Sequence, residues 1–222
     1  MRSLDLSSPI APISTAEWQQ LQILVQTLRE LAGTGFNYFF KATPLGPLLV
    51  VYRWDGLTAL EFPDSKDSHR LLQQIVAAIP GTGLSYDAGS SLARLISYQL
   101  DAYFSGALRE FTLPLYEVGT AFQKRVWQCL RGIGYGETIS YAEESRRLGQ
   151  PQAVRAVAAA NGRNKISIVV PCHRVIASTG QLHGYGGGLD RKAALLNLER
   201  GQPPASSTKW QALNALLRDE QN

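Results

Sequence analysis

Residues 171–174 read Pro171-Cys172-His173-Arg174 and follow the apolar run Ile166-Ser167-Ile168-Val169-Val170. A thiol at the end of a buried strand, beside an imidazole and a guanidinium, is a candidate activated nucleophile. The thiolate is the reactive form, and a neighbouring base or positive charge makes it easier to form. A buried cysteine is more often a small, inert hydrophobe, so the pair needs support from elsewhere in the chain. The other cysteine, Cys129, continues a helical stripe of Phe122, Val126, Leu130 and Ile133 and reads as a core residue.

Two cysteines outside any C-x-x-C pair point to a reducing, intracellular and cytoplasmic setting rather than a disulfide framework. The histidines, His69, His173 and His183, show no metal-ligand spacing, so neither a metal nor a cofactor is expected. No apolar run approaches the roughly 20 residues that a membrane span needs. Met1 to Ile13 lacks the apolar core of a signal peptide. The 222 residues are 45% hydrophobic, enough to bury a core in one large domain or two small ones. With 22 Lys+Arg against 18 Asp+Glu the formal charge is +4, which permits nucleic-acid binding without demanding it.

The elements that must position Cys172 can be read from periodicity. Ser14 or Thr15 caps a helix over 14–31, with Trp18, Leu21, Leu24, Val25, Leu28 and Leu31 at helical spacing. From Phe36 to Phe62, aromatic and β-branched runs are broken by Pro44-Leu45-Gly46 and by Asp55-Gly56, a hairpin signal. Amphipathic helices are expected over 67–79 and 91–104. Past Leu113-Pro114-Leu115 the pattern becomes short helices, the first capped by Thr120. Two more, about 141–148 and 152–162, flank Leu148-Gly149-Gln150-Pro151 and suggest a helix-turn-helix. The fold class is therefore α/β (α+β), in three parts. An N-terminal domain over 1–114 holds a small hairpin-rich sheet with helices. A mostly helical domain over 115–201 holds the helix pair and a buried active-site strand. A Pro/Ser linker and a final helix, over 202–222, either pack back or extend.

The second helix of the pair, wound at 100° per residue, puts Val154, Val157, Ala158 and Asn161 on one side. Arg155, Ala156, Ala159, Gly162 and Arg163 fall on another. That smooth floor with an arginine at each end suits close helix packing and suits a DNA groove equally well.

These signals share one framework. It runs from Gly119-Thr120-Ala121-Phe122-Gln123-Lys124-Arg125-Val126-Trp127 through Tyr135-Gly136-Glu137-Thr138-Ile139-Ser140-Tyr141 and Arg155-Ala156-Val157 to Asn164. It continues through Pro171-Cys172-His173-Arg174-Val175, Gly184-Tyr185, Gly187-Gly188-Leu189, Lys192, Leu195-Leu196 and Glu199. In order and register over roughly 115–200, it resembles the O6-alkylguanine-DNA alkyltransferases. Thr43-Pro44-Leu45-Gly46-Pro47-Leu48-Leu49 and Tyr103-Phe104-Ser105-Gly106 look like that family's N-terminal domain. Lys165 and Gly134 stand where the family usually has proline, loosening each loop by about 0.5–1 kcal/mol. Gly186 stands where some relatives carry serine, and the zinc ligands of certain relatives have no counterpart.

The resemblance implies direct, irreversible transfer of an alkyl group from guanine O6 in double-stranded DNA to Cys172, by a monomer that acts once. Glu199 would orient His173, and a bridging water would link His173 to the thiol. Asn164 would tie the recognition helix to the active-site strand through turn hydrogen bonds. The target base must be flipped out, with Arg155 entering the vacated space, Tyr141 pressing on the phosphate and Tyr185 stacking on the purine. Backbone groups of Cys172, Val175 and Gly186 would read the base edge. Arg174 receives no chemical role. A non-catalytic sensor of the same fold would lack the cysteine, and a thiol hydrolase would turn over.

Overall fold

The computed structural model describes residues 12–202 and 207–218. Residues 1–11, expected to lack a leader, the linker residues 203–206 and residues 219–222 lie outside them. Helix α1 (Thr15–Glu30) begins where Ser14 and Glu17 close a capping box. Strands β1 (Gly35–Lys41), β2 (Leu48–Arg53) and β3 (Gly56–Glu61) form an antiparallel meander. The β2–β3 connection is the tight turn at Trp54-Asp55 that the Asp-Gly pair signalled. Gly56 is required there for space, because a Cβ would stand 2.9 Å from the Pro114 carbonyl oxygen. After α2 (Ser68–Ala77), β4 (Gly83–Tyr86) pairs parallel to β1 and completes the order β3-β2-β1-β4. Periodicity does not reveal β4: four residues are too few to establish an alternation. Helix α3 (Ser91–Phe104) follows, capped by Ser90.

Successive strand residues face opposite sides of a sheet, so the sheet separates two cores. Tyr38, Phe40, Leu49, Val51 and Ala59 pack with α1 and α2. Phe39, Val50, Tyr52, Leu57 and Leu60 join α3 and the C-terminal helices. Those are α4 (Ala121–Arg131), α5 (Tyr141–Arg147), α6 (Val154–Asn161) and α7 (Leu189–Glu199). A two-stranded parallel pair, β5 (Ile139–Ser140) with β6 (Val175–Ile176), links them. The last helix, α8 (Thr208–Arg218), packs back rather than extending: Leu213 and Leu217 enter the α1 core. Lys209 pairs with Glu17 at 2.7 Å, and Asn214 donates to the Thr43 carbonyl.

Two expectations need correction. The run 166–170 is not a strand. It makes one bridge, Leu60 to Ile166, and then curls, with Val170 N–H donating to Ile166 O at 2.9 Å. The short strand follows the cysteine instead, at β6. Alternating apolar residues gave the strand signal, but Pro171 has no N–H for a ladder, and the Asn164 side chain captures the backbone on both sides of the curl. Cys129, in turn, is only half-buried, at the margin of a core filled by Val126, Trp127 and Leu130.

A buried polar cluster joins α5 to α6. The Glu144 side chain accepts from Asn161 Nδ2 at 2.6 Å, while its other oxygen and the Ser145 hydroxyl have no partner among the described residues. Burial pushes the Glu144 carboxyl up to about 7, the Asn161 bond opposing it. The native state therefore binds this proton more firmly than the unfolded chain does. The associated stability is full below about pH 4 and is lost as pH rises towards 7. Glu144→Gln should flatten that fall, sparing about 2 kcal/mol between pH 5 and 7.5 in urea titrations. Parallel pH curves for the two proteins would contradict it.

Candidate active site

The turn around Asn164 builds the nucleophile's seat. Asn164 Oδ1 accepts from Ile166 N–H at 2.9 Å, and its Nδ2 donates to Val170 O at 2.8 Å and to Cys172 Sγ at 3.2 Å. One amide thus closes the loop and also touches the thiol. Ile168, inside the loop, has φ +72°, a left-handed conformation that a β-branched residue rarely adopts. Cys172–Arg174 then forms a single 3-10 turn. Burial pushes the Cys172 thiol up to about 11, with Asn164 and Lys192 opposing and Glu61 adding to the shift. The resting sulfur is a thiol, so transfer requires a base.

His173, the next residue, is the candidate for that base. It is fully buried and makes no hydrogen bond to its neighbour Cys172; its Nε2 meets Glu199 Oε1 at 2.8 Å. Burial lowers the imidazole pKa and the Glu199 carboxylate only partly restores it, so the ring is neutral near pH 7. Burial alone would raise the Glu199 carboxyl. Bonds from His173 and Arg174 outweigh it and hold the group far below the usual range. A carboxylate can only accept, so the histidine proton sits on Nε2 and Nδ1 presents a lone pair. Nδ1 is buried without a partner among the described residues.

Glu199 is clamped more heavily than the sequence suggested. Tyr103 Oη donates to Oε1 at 2.7 Å and Gly136 N–H to Oε2 at 3.1 Å. Arg174 grips both oxygens at 2.9 Å and donates to Ile133 O. Arg174 and Tyr103 are thus site residues that sequence reasoning passed over. Tyr103 lay in a quoted family motif, Tyr103-Phe104-Ser105-Gly106, with nothing to say what it touched.

Lys192 is a third omission. Its ammonium, on α7 just after Asp190-Arg191, donates to Val175 O at 2.7 Å and His183 O at 2.6 Å. Tyr141 Oη donates to the same His183 carbonyl at 3.3 Å, so the side chain of His183 is idle while its backbone is a junction. Together Lys192 and Tyr141 tie the 183–188 loop down beside the cysteine. That loop carries Tyr185, whose ring lies 6.4 Å from His173 and 6.5 Å from Phe62, edge-on to both. Tyr185, Gly186 and Asn164 line a 460 Å³ cleft together with Glu61 and Gly162. A larger cleft of 830 Å³ lies behind the active-site turn, against Ile168, Val169 and Pro171.

The helix pair stands as the wheel suggested. On α6, Val157 and Asn161 are buried, while Arg155, Ala156, Ala159, Gly162 and Arg163 are exposed. Among the described residues, the small-residue floor therefore is not a packing surface. Arg155 is brought near none of the buried site groups; it lies on the open face. Gly134 N–H donates to Glu137, a bond that proline would remove.

A buried thiol, a neutral imidazole clamped by a carboxylate, and an exposed small-residue face on the second helix of a pair define a candidate cysteine nucleophile on a helix-turn-helix frame. The family described as 6-O-methylguanine DNA methyltransferase, DNA binding domain, matches residues 121–201, and its ribonuclease-like domain matches 37–116. The chain is 56% identical over 166 residues to the methylated-DNA–protein-cysteine methyltransferase of Mycobacterium tuberculosis, covering 75% of this chain and 93% of that one. The Mycobacterium leprae protein of the same name is 47% identical over the same coverage. A crystal structure of Mycobacterium tuberculosis OGT in complex with DNA superposes with a TM-score of 0.66 at 42% identity, covering 77% of this chain and 96% of that one. This chain belongs to the 6-O-methylguanine DNA methyltransferase family.

Proposed function

We propose that the protein repairs DNA by direct, irreversible transfer of an alkyl group, typically methyl, from O6-alkylguanine to Cys172. The observation that carries this reading is the seat of Cys172: Asn164 Nδ2 at 3.2 Å from the sulfur, beside a neutral His173 whose Nε2 is held by Glu199. The thiol proton passes to His173 Nδ1 through a bridging water. The sulfur attacks the alkyl carbon, the S–C bond forms, the C–O6 bond breaks, and the electron pair leaves with guanine, which takes up a proton. No group among the described site residues is placed to cleave the thioether back to the thiol, so each molecule acts once. The target base is flipped out of the duplex at a cost of a few kcal/mol. It lodges against Tyr185, with backbone groups of Cys172, Val175 and Gly186 at its edge and Tyr141 beside the displaced phosphate. The protein works as a monomer in the cytoplasm, in domains divided near 114 and 201.

The test is duplex DNA carrying radiolabelled O6-methylguanine. Label should move to the protein up to one equivalent and stop. Binding without transfer would make it a sensor, and continuous release would make it a hydrolase.

Arg155 supports flipping rather than affinity. It projects from the open face of α6 amid alanines that cannot read base edges. Arg155→Ala should slow repair of duplex DNA by about a hundredfold, the loss of a few kcal/mol of flipping support. Reaction with free O6-benzylguanine, which needs no flipping, should stay close to normal. Equal losses on both substrates would rule the role out.

A further inference from the structure

The described mechanism leaves one buried acid beside the site without a task. Glu61 ends β3, and its side chain turns inward to the C-terminal half. Two backbone bonds clip the strand to the active-site loop: Leu60 N–H to Lys165 O at 2.9 Å and Ser167 N–H to Leu60 O at 2.8 Å. They place the Glu61 carboxyl in the same cleft as Asn164, Tyr185 and Gly186. Its Oε1 accepts from Phe62 N–H at 2.8 Å. Its Oε2 lies against Gly186, so close that a Cβ on that glycine would stand 3.1 Å away. The next residue, Phe62, meets the Tyr185 ring and would be 2.4 Å from a Cβ on Gly187. The end of β3 is therefore the surface on which the base-holding loop rests.

We propose that Glu61 is a positioning residue for the transfer reaction: its carboxyl group seats the loop carrying Tyr185 and Gly186, and its charge, added to the effect of burial, makes the Cys172 thiolate harder to form in the free protein. A cysteine that acts once gains from staying a thiol, since only the thiolate is open to stray electrophiles. The inference rests on Cys172 being the acceptor. Asn164 lines the cleft with Glu61 and touches the Cys172 sulfur, so the two groups lie close enough for like charges to oppose each other, and the carboxylate makes the thiolate harder to form. Burial also pushes the Glu61 carboxyl itself up to about 7, with Arg191 opposing and Asp64 adding. Other charged groups face the cleft. Lys66, Asp67 and Arg70 come from the α2 side and Arg163 and Lys165 from the α6 side, while Lys192 of α7, outside the cleft lining, favours the thiolate. Tyr185 and Tyr141 stay neutral, both raised by burial and further by Cys172.

The experiment follows alkylation of Cys172 by iodoacetamide, a neutral reagent that Glu61 cannot repel, from pH 6 to 9.5. Cys129→Ala serves as background, so that one thiol reports. With Glu61 in place, the logarithm of the rate should climb with pH, flatten near pH 7 as Glu61 ionises, and climb again. Glu61→Gln should remove the flattening and raise the rate at pH 8 about three- to tenfold, the effect of lowering the thiol pKa by about half to one unit. Glu61→Ala should act in the same direction, whereas Glu61→Asp, which keeps the charge, should retain the flattening. A purely structural role would affect the conservative aspartate as it affects glutamine. One unbroken slope in the protein with Glu61 intact overturns the proposal and needs no folded variant. Label transfer from methylated duplex is scored separately. A protein that transfers but shows the unbroken slope loses only the Glu61 role; one that shows the flattening but never transfers loses only the function.

Discussion

Replacing Cys172 by alanine should abolish alkyl transfer while leaving DNA binding intact, and replacing Cys129 by alanine should leave the yield near one equivalent. The two thiols differ in what surrounds them. Cys172 has the Asn164 amide on its sulfur, Lys192 favouring its anion, and the His173–Glu199 pair next in the chain. Cys129 sits half-buried on α4, its thiol raised by burial and further by Glu144, with no base positioned to relieve it. The proposed binding face is the exposed side of α6, which carries neither cysteine. Loss of transfer should thus be total rather than graded, because no other group in the cleft is a nucleophile of comparable strength. Mass spectrometry of the tryptic peptides after reaction with O6-methylguanine duplex decides it. A methyl group on Cys129, or residual transfer by Cys172→Ala, would break the assignment.

Glu199→Ala should cost about 3–5 kcal/mol of stability, the range for breaking a buried ion pair by removing one partner. Glu199 accepts from Tyr103, Gly136, His173 and, through both oxygens, Arg174. Its removal leaves the Arg174 guanidinium buried without its counter-charge and orphans the Tyr103 hydroxyl. Urea unfolding at pH 7 measures the loss. The native protein should approach the same weakness in acid. A carboxyl depressed by folding contributes stability that is present above its unfolded value of about 4.3 and lost as pH falls below it. Glu199→Gln separates fold from chemistry. It keeps the shape, but it loses the charge that fixes the proton on His173 Nε2 and supports the imidazolium. Transfer should slow by about a hundredfold, the lower end of what a positioned general base supplies. A glutamine variant that transfers at the native rate would leave Glu199 a purely structural residue.

The local features of this protein are legible in its sequence because they depend on interactions within a few residues. Helix periods, the capping boxes at Ser14 and Thr120, the Asp55-Gly56 turn and the two faces of α6 all follow from spacing alone. The choice of Cys172 needs more than spacing: a bare Cys-His pair is ambiguous, and the family resemblance over 115–200 singles it out. The seat of that cysteine is a different matter. Its segment reads as a strand because apolar residues alternate, yet Asn164 and Pro171 curl it into a turn.

The charges around the site depend on packing across the chain. Tyr103 reaches Glu199 from 96 residues away, Arg174 from 25 and Gly136 from 63. Glu61 meets Gly186 only because β3 is clipped to the active-site loop. Whether a carboxyl is ionised, a histidine neutral or a thiol suppressed is set by how much water is removed and which partner replaces it. Sequence order names the groups that can do chemistry here. Only the folded chain, by burying them against one another, decides which partners they meet and which charge they carry.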